Sequence, residues 1–377
     1  MTYDVPFNRA SIEGKELEYV RQAIEGGHIS GDGPFTKACE ALLQEELAAP
    51  RVLLTTSCTH ALELSALLLN LRPGDEVIVP SFAFVSTANA FAVHGARPVF
   101  VDIRPDTLNL DEGRLPQAAS EKTRAVIPLH YAGVGCEMDA VMSWADRHQV
   151  VVVEDNAHGL FGRHRGRPLG TFGAMAALSF HETKNFTCGE GGALVVNDPT
   201  LVERAEILRE KGTDRSRFFR GQVDKYTWRD YGSSWVPSDI LAAFLLGQLE
   251  QRERIHASRE RVWRHYARAL ADWAKAEGVR MPVEPEDETP AYHLFFLLMP
   301  SLEKRQGLIE HLRARRILSV FHYLPLHLSA MGRRFGGKLG DCPVAEDVSE
   351  RLLRLPFFTK YSEAEQERVV EAILAFH

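Results

Sequence analysis

The chain predicts an α/β protein: a large, mostly parallel sheet covered by helices, followed by a smaller C-terminal α+β part. Over the first two hundred residues, short β-rich runs alternate with helical stretches, the pattern of strand–helix–strand units. Several of those runs are almost unbroken in apolar residues, as strands buried on both faces require. Beyond about Ser238 the alternation stops and a long helical pattern begins. At 377 residues the chain exceeds what one small core organises. Two domains are expected, 1–250 and 251–377.

Strands are expected at 52–54, 76–79, 98–101, 125–128, 150–153, 176–180 and 193–196, with helices at 60–69, 85–93 and 136–148 between them. One long helix is expected to run from about Ser238 through Gln251 and Ile255 to Trp273. A strand over 292–298 and a closing helix over 362–376 complete the smaller part.

Composition narrows the function. A net charge of −7 offers no basic face to a nucleic acid. The chain contains no apolar run that would span a bilayer, and Met1-Thr2-Tyr3-Asp4-Val5-Pro6 lacks a signal-peptide pattern, so no membrane partner and a cytoplasmic location are expected. Five scattered cysteines, without a Cys-x-x-Cys pair, argue against a disulfide framework or a zinc ribbon. The histidines His130, His158, His181, His322 and His327 show no zinc-site spacing, so no metal is expected.

The most informative stretch is Ser179-Phe180-His181-Glu182-Thr183-Lys184-Asn185, which closes on Gly189, Gly191 and Gly192. It sets one lysine in a loop between two apolar strands, in a chain with only ten lysines. A lysine desolvated there loses its proton and attacks a carbonyl. Ser179, at the strand end, offers a hydroxyl to a phosphate. Together they suggest a lysine holding pyridoxal 5'-phosphate (PLP) as a Schiff base.

Other residues support this reading. Four valines lead into Glu154-Asp155-Asn156-Ala157-His158, and ligands of open α/β sheets bind beyond such strand ends. A carboxylate buried there needs a partner. A pyridinium nitrogen suits Asp155, while His158 can meet the phenolic oxygen or stack near it. Asp155 also fits as a helix N-cap, and the two roles are compatible. Ser57, Cys58 and Thr59 precede an Ala- and Leu-rich helix, where hydroxyls and free N–H groups make an anion site or an ordinary cap. In Ser81-Phe82-Ala83-Phe84, Phe84 can lie against a flat ring or pack in the core.

In this order, these sites resemble the sugar aminotransferases of the DegT/DnrJ/StrS group, in the aspartate aminotransferase superfamily (fold type I). The likeness includes Gly31-Asp32-Gly33-Pro34-Phe35-Thr36, Ser238-Asp239-Ile240, Pro325-Leu326-His327 and Arg354-Leu355-Pro356. It implies PLP on Lys184, an L-glutamate donor, and a homodimer with shared active sites. Within the group the chain looks most like the TDP-4-keto-6-deoxy-D-glucose 4-transaminases of enterobacterial common antigen synthesis. The discriminating stretch is 210–230, where six basic residues stand between Lys211 and Arg229. Arg220 and Lys225 are expected on the diphosphate of this nucleotide sugar, with His322, Tyr323 and His327 lining the sugar pocket. Many members carry Gly-Tyr-Asn-Tyr-Arg where this chain has Gly232-Ser233-Ser234-Trp235-Val236, which puts Ser234 in place of the Asn that reaches the partner's cofactor phosphate. Sister sugar dehydratases carry histidine in place of the Schiff-base lysine, and Lys184 argues against that reaction. The remaining alternatives are transamination at a C3 ketone and a non-catalytic regulatory protein that binds PLP or a nucleotide sugar.

Overall fold

The computed structural model describes residues 3–376. A seven-stranded sheet forms the centre: β1 (Arg51–Thr55), β2 (Glu76–Pro80), β3 (Arg97–Val101), β4 (Thr123–Val126), β5 (Val151–Asp155), β6 (Met175–Ser179) and β7 (Gly192–Val196). Its spatial order is β1-β7-β6-β5-β4-β2-β3. Only β7 runs against the others, pairing antiparallel with β1 and β6. Each expected strand is present to within about three residues at either end. β2, β6 and β7 are buried along their whole length, because helices cover both faces.

The covering helices include α1 (Pro34–Leu47), α2 (Cys58–Leu68), α3 (Ser86–Ala92), α4 (Met138–His148) and α5 (Val202–Arg209). The long helix expected from Ser238 is three helices, α6 (Asp239–Leu249), α7 (Arg252–Ala269) and α8 (Ala271–Glu277). A change of core accompanies the turn from α6 into α7. Leu245, Leu246 and Leu249 of α6 join the cluster beneath β1, β6 and β7. Ile255, in the first turn of α7, still joins that cluster, while Val262, Trp263 and Tyr266 further along belong to a different one, built from residues 262–373 with Val5. One straight axis does not serve both.

The C-terminal part adds a three-stranded sheet of β8 (Phe296–Leu298), β9 (Val320–Phe321) and β10 (Leu352–Arg354), in the order β8-β10-β9. The strand expected over 292–298 is shorter than that. Tyr292 takes a left-handed φ of 48°, and the N–H groups of Ala291 and His293 donate to Gly133 and Ala132 of the large sheet's loops instead. A closing helix, α9 (Glu363–Leu374), starts from a capping box built by Ser362 and Glu365.

This part is tied to the carboxyl ends of β2 and β3. Leu326 N–H donates to the Ser81 carbonyl at 2.8 Å. The Asp102 carboxylate accepts from the N–H groups of Val344 and Ala345 at 2.9 and 2.8 Å.

Candidate active site

β5 and β6 are hydrogen-bonded parallel neighbours, with Asp155 opposite Ala177. Their carboxyl ends therefore open side by side, and the residues that follow them share one cavity. After β6 the chain forms a tight loop. Lys184 N–H donates to His181 O, Glu182 N–H to Gly189 O, and Gly189 supplies the left-handed turn at φ 86°. β7 then starts at Gly192, where a Cβ would lie 2.3 Å from the Ser57 carbonyl carbon. Only glycine lets the start of α2 rest on this strand, beside the lysine loop.

The cavity measures about 650 Å³. Its large-sheet wall carries Ser57, Cys58, Thr59, Asp155, His158, Ser179 and Lys184, and its other wall carries His322, Tyr323 and Arg354. Phe84 stands at the rim, 57% exposed, with its ring centre 6.4 Å from that of Tyr323.

Asp155 is buried at the end of β5. Its Oδ2 accepts from Thr87 Oγ1 at 2.7 Å and its Oδ1 from Ala157 N–H at 3.2 Å. Burial pushes its pKa up from the ordinary value; the Thr87 and Ala157 hydrogen bonds and the nearby Lys184 oppose the rise. The Lys184 amine is pushed down to about 8, chiefly by burial, with Arg354 adding to the fall and Cys58 and Asp155 working against it. An amine of this kind is a better nucleophile at neutral pH than an exposed lysine.

At the start of α2, Ser57 Oγ accepts from His60 N–H at 3.1 Å, so the serine does cap the helix. Thr59 Oγ1 and Ser86 Oγ are 2.7 Å apart. The N–H groups of Cys58 and Thr59 make no hydrogen bond among the described residues and remain for an anion. Beside them, three imidazoles form a file. His158 stacks on His293 with ring centres 4.1 Å apart, and His322 lies 6.2 Å from His158. Burial pushes all three well below the usual histidine range, so they are neutral near pH 7. His158 Nδ1 is buried and has no hydrogen-bond partner among the described residues. It is a polar atom directed at something the chain itself does not supply.

Four residues singled out from the sequence lie elsewhere. Arg220 makes a two-toothed ion pair with Glu206, at 2.8 and 3.1 Å, over a separate cleft. Lys225 and Ser234 are exposed outside the cavity. His327 is fully buried, its Nδ1 against Ser81 Oγ and its Nε2 2.9 Å from Glu346 Oε1, so both ring nitrogens are occupied, the first in a tie to the segment after β2. Conversely, Thr87, His293 and Arg354 reach the cavity without having been assigned a role. Thr87 lies three residues beyond the Ser81–Phe84 stretch and Arg354 opens the Arg354-Leu355-Pro356 motif, so each stood in or beside a marked segment. His293 carried no such signal; Asn185 selects it through a 2.9 Å contact to His293 Nδ1.

The likeness to known proteins is of the same kind along the whole chain. Residues 10–374 match the DegT/DnrJ/EryC1/StrS aminotransferase family. The spore coat polysaccharide biosynthesis protein SpsC of Bacillus subtilis is 31% identical over 379 residues, 98% of this chain and 96% of SpsC. Among solved structures, DesV of S. venezuelae is 32% identical with a TM-score of 0.87, covering 96% of this chain and 93% of DesV. The PLP-form of Spr1654 from Streptococcus pneumoniae is 28% identical with a TM-score of 0.90, covering 99% and 98%. With PLP as its cofactor and the fold type I architecture, the chain belongs to the DegT/DnrJ/EryC1/StrS family of sugar aminotransferases.

Proposed function

We propose that this enzyme moves an amino group from L-glutamate to the C4 ketone of TDP-4-keto-6-deoxy-D-glucose, giving a TDP-4-amino-4,6-dideoxyhexose. The observation that carries the chemistry is the meeting of Lys184 and Asp155 in one cavity beside a helix start. The choice of sugar rests on the resemblance of the 210–230 stretch.

The residues present fit PLP. Lys184 would hold it covalently, Asp155 its ring nitrogen, His158 Nδ1 its phenolic oxygen, and Ser57, Thr59 and Ser179 its phosphate, with Cys58 and Phe84 against the ring. When bound, PLP supplies an electron sink for negative charge on the reacting carbon. Asp155, braced by Thr87, keeps the ring nitrogen protonated. Lys184 Nζ, once released, would take the proton from the donor's α-carbon and return it on the far side of the shared nitrogen, at the carbon through which the lysine had itself been attached. With the sugar it performs the same transfer in reverse. His322 and Tyr323 shape the sugar's side of the cavity.

The division at 1–250 and 251–377 is part of this reading, because the cavity is then formed where the two units meet. So is a homodimer. Trp228, Tyr231 and Phe219 are 80%, 76% and 66% exposed, apolar area that suits a second copy. Arg220, Lys225 and Ser234 would serve the partner's cavity from that surface.

The test is to load the protein with glutamate, add TDP-4-keto-6-deoxyglucose, and take an NMR spectrum of the product. An amine at C4 supports the reading, and the H3–H4 coupling separates the galacto from the gluco epimer. An amine at C3 changes the substrate. Absence of reaction with glutamate in PLP-loaded protein refutes glutamate as the donor.

A further inference from the structure

We propose that Arg354 is the residue that binds the α-carboxylate of the amino donor. The inference rests on the reading above for the nature of the donor. Arg354 ends β10, paired with Phe296 of β8 and Val320 of β9, and its side chain lines the cavity on the wall that carries His322 and Tyr323.

The guanidinium is poorly satisfied within the chain. Nη2 donates to the Phe321 carbonyl at 3.2 Å, and the guanidinium carbon sits 4.6 Å from the centre of the Phe7 ring. Nε is buried without a partner, and Nη1 makes no hydrogen bond among the described residues. Nor does Arg354 form an ion pair among them. The two carboxylates that line the cavity are engaged elsewhere, Asp155 with Thr87 and Ala157, and Glu190 3.7 Å from His181. A cation held in a low-dielectric site, with donors left over, is matched by an anion from outside.

On the reading above, the cavity receives the cofactor phosphate, the nucleotide diphosphate and both carboxylates of the donor, and only one of these sits on a reacting carbon. The cofactor phosphate has its own site at the start of α2, with Ser57, Thr59 and Ser179 on the large-sheet wall. The nucleotide diphosphate and the donor's side-chain carboxylate lie several bonds from their reacting carbons, whereas the donor's α-carboxylate is attached to the same carbon as the amine that reacts. It must therefore lie within a few ångströms of the reacting atoms, on the side away from the phosphate. Arg354 stands on that opposite wall, close enough to Lys184 for its charge to lower the lysine's pKa. The keto-sugar carries no charge at its reacting carbon, so Arg354 separates the two substrates that share one cavity.

The experiment compares wild type with Arg354→Met and Arg354→Lys as PLP-loaded proteins. Single-turnover rates are followed through the cofactor's visible absorbance, first with glutamate and then with the sugar. Loss of a two-toothed charged contact lowers kcat/KM for glutamate by about 100-fold, mostly through KM. The loss is at least about 30-fold larger than for the sugar, and Arg354→Lys recovers part of it. Butylamine, which has no carboxylate, is used equally poorly by wild type and Arg354→Met. Calorimetry with glutarate gives a readout free of turnover: wild type binds it and Arg354→Met does not. Unchanged glutamate constants, equal losses on both substrates, or glutarate binding that survives in Arg354→Met overturn the assignment. If wild type reacts with glutamate but not with the TDP-sugar, only the sugar reading fails. If it does not react with glutamate, the donor reading fails, and the glutarate comparison still decides Arg354.

Discussion

Before the cofactor is attached, Lys184 should titrate near pH 8 instead of near 10.5, because burial disfavours its charged form. The consequence is large at working pH. At pH 7.5 about a quarter of the Lys184 amines are neutral, against about one in a thousand for an exposed lysine, a gain of roughly 200-fold in nucleophile. The assay is the rate at which cofactor-free protein takes up PLP covalently, trapped with borohydride, between pH 6 and 10.5. The rate should rise through a midpoint near 8 and then level. Neighbouring charges give a signed control. Asp155 holds the Lys184 value up, so Asp155→Asn moves the midpoint down; Arg354 holds it down, so Arg354→Met moves it up. Stability follows by linkage. The folded pKa lies below the unfolded one, so the unfolded chain binds more protons between pH 8 and 10.5, and the cofactor-free protein gains stability as pH rises through that window. The gain is at most about 3 kcal/mol. An uptake rate still climbing beyond pH 10 would refute the desolvated lysine and the account of the cavity built on it.

Three further outcomes are expected. Asp155→Asn keeps the shape of the site but not its charge, so turnover falls by about 100-fold or more while absorbance shows PLP still bound. Thr59→Val and Ser57→Ala each weaken PLP in a spectroscopic titration by about tenfold, and Ser57→Ala also lowers the apparent melting temperature through loss of the α2 cap, worth about 1 kcal/mol. His327→Ala leaves Ser81 and Glu346 without their partner; it costs about 2 kcal/mol in thermal unfolding yet changes KM for the sugar by less than about threefold.

Much of the fold was legible because buried parallel strands write themselves as apolar runs, and the 150–153 valines gave β5 directly. The loops at the strand ends were legible for a related reason: Lys184, Asp155 and Ser57 each follow such a run, and sheet order alone brings β5, β6 and the start of α2 together. Contacts made across the chain leave a weaker trace. His327 reads like a pocket residue in Pro325-Leu326-His327, but its two ring nitrogens are claimed by Ser81 and Glu346, 246 and 19 residues away. The basic loop reads as a diphosphate site, but Glu206 claims Arg220 within one chain. The break between α6 and α7 was hidden because both segments are good helix formers, and the turn between them accompanies a change of core.

The ties from Ser81 and Asp102 to Leu326, Val344 and Ala345 fix one wall of the cavity against the other. On the proposed reading, donor and sugar take turns in the one cavity between those walls. The kinetic result is a ping-pong scheme in which each substrate, in excess, occupies the form of the enzyme that belongs to the other. Cross-inhibition at high concentration of either one should accompany turnover, and its ratio would report how evenly the shared space is divided between an amino acid and a nucleotide sugar.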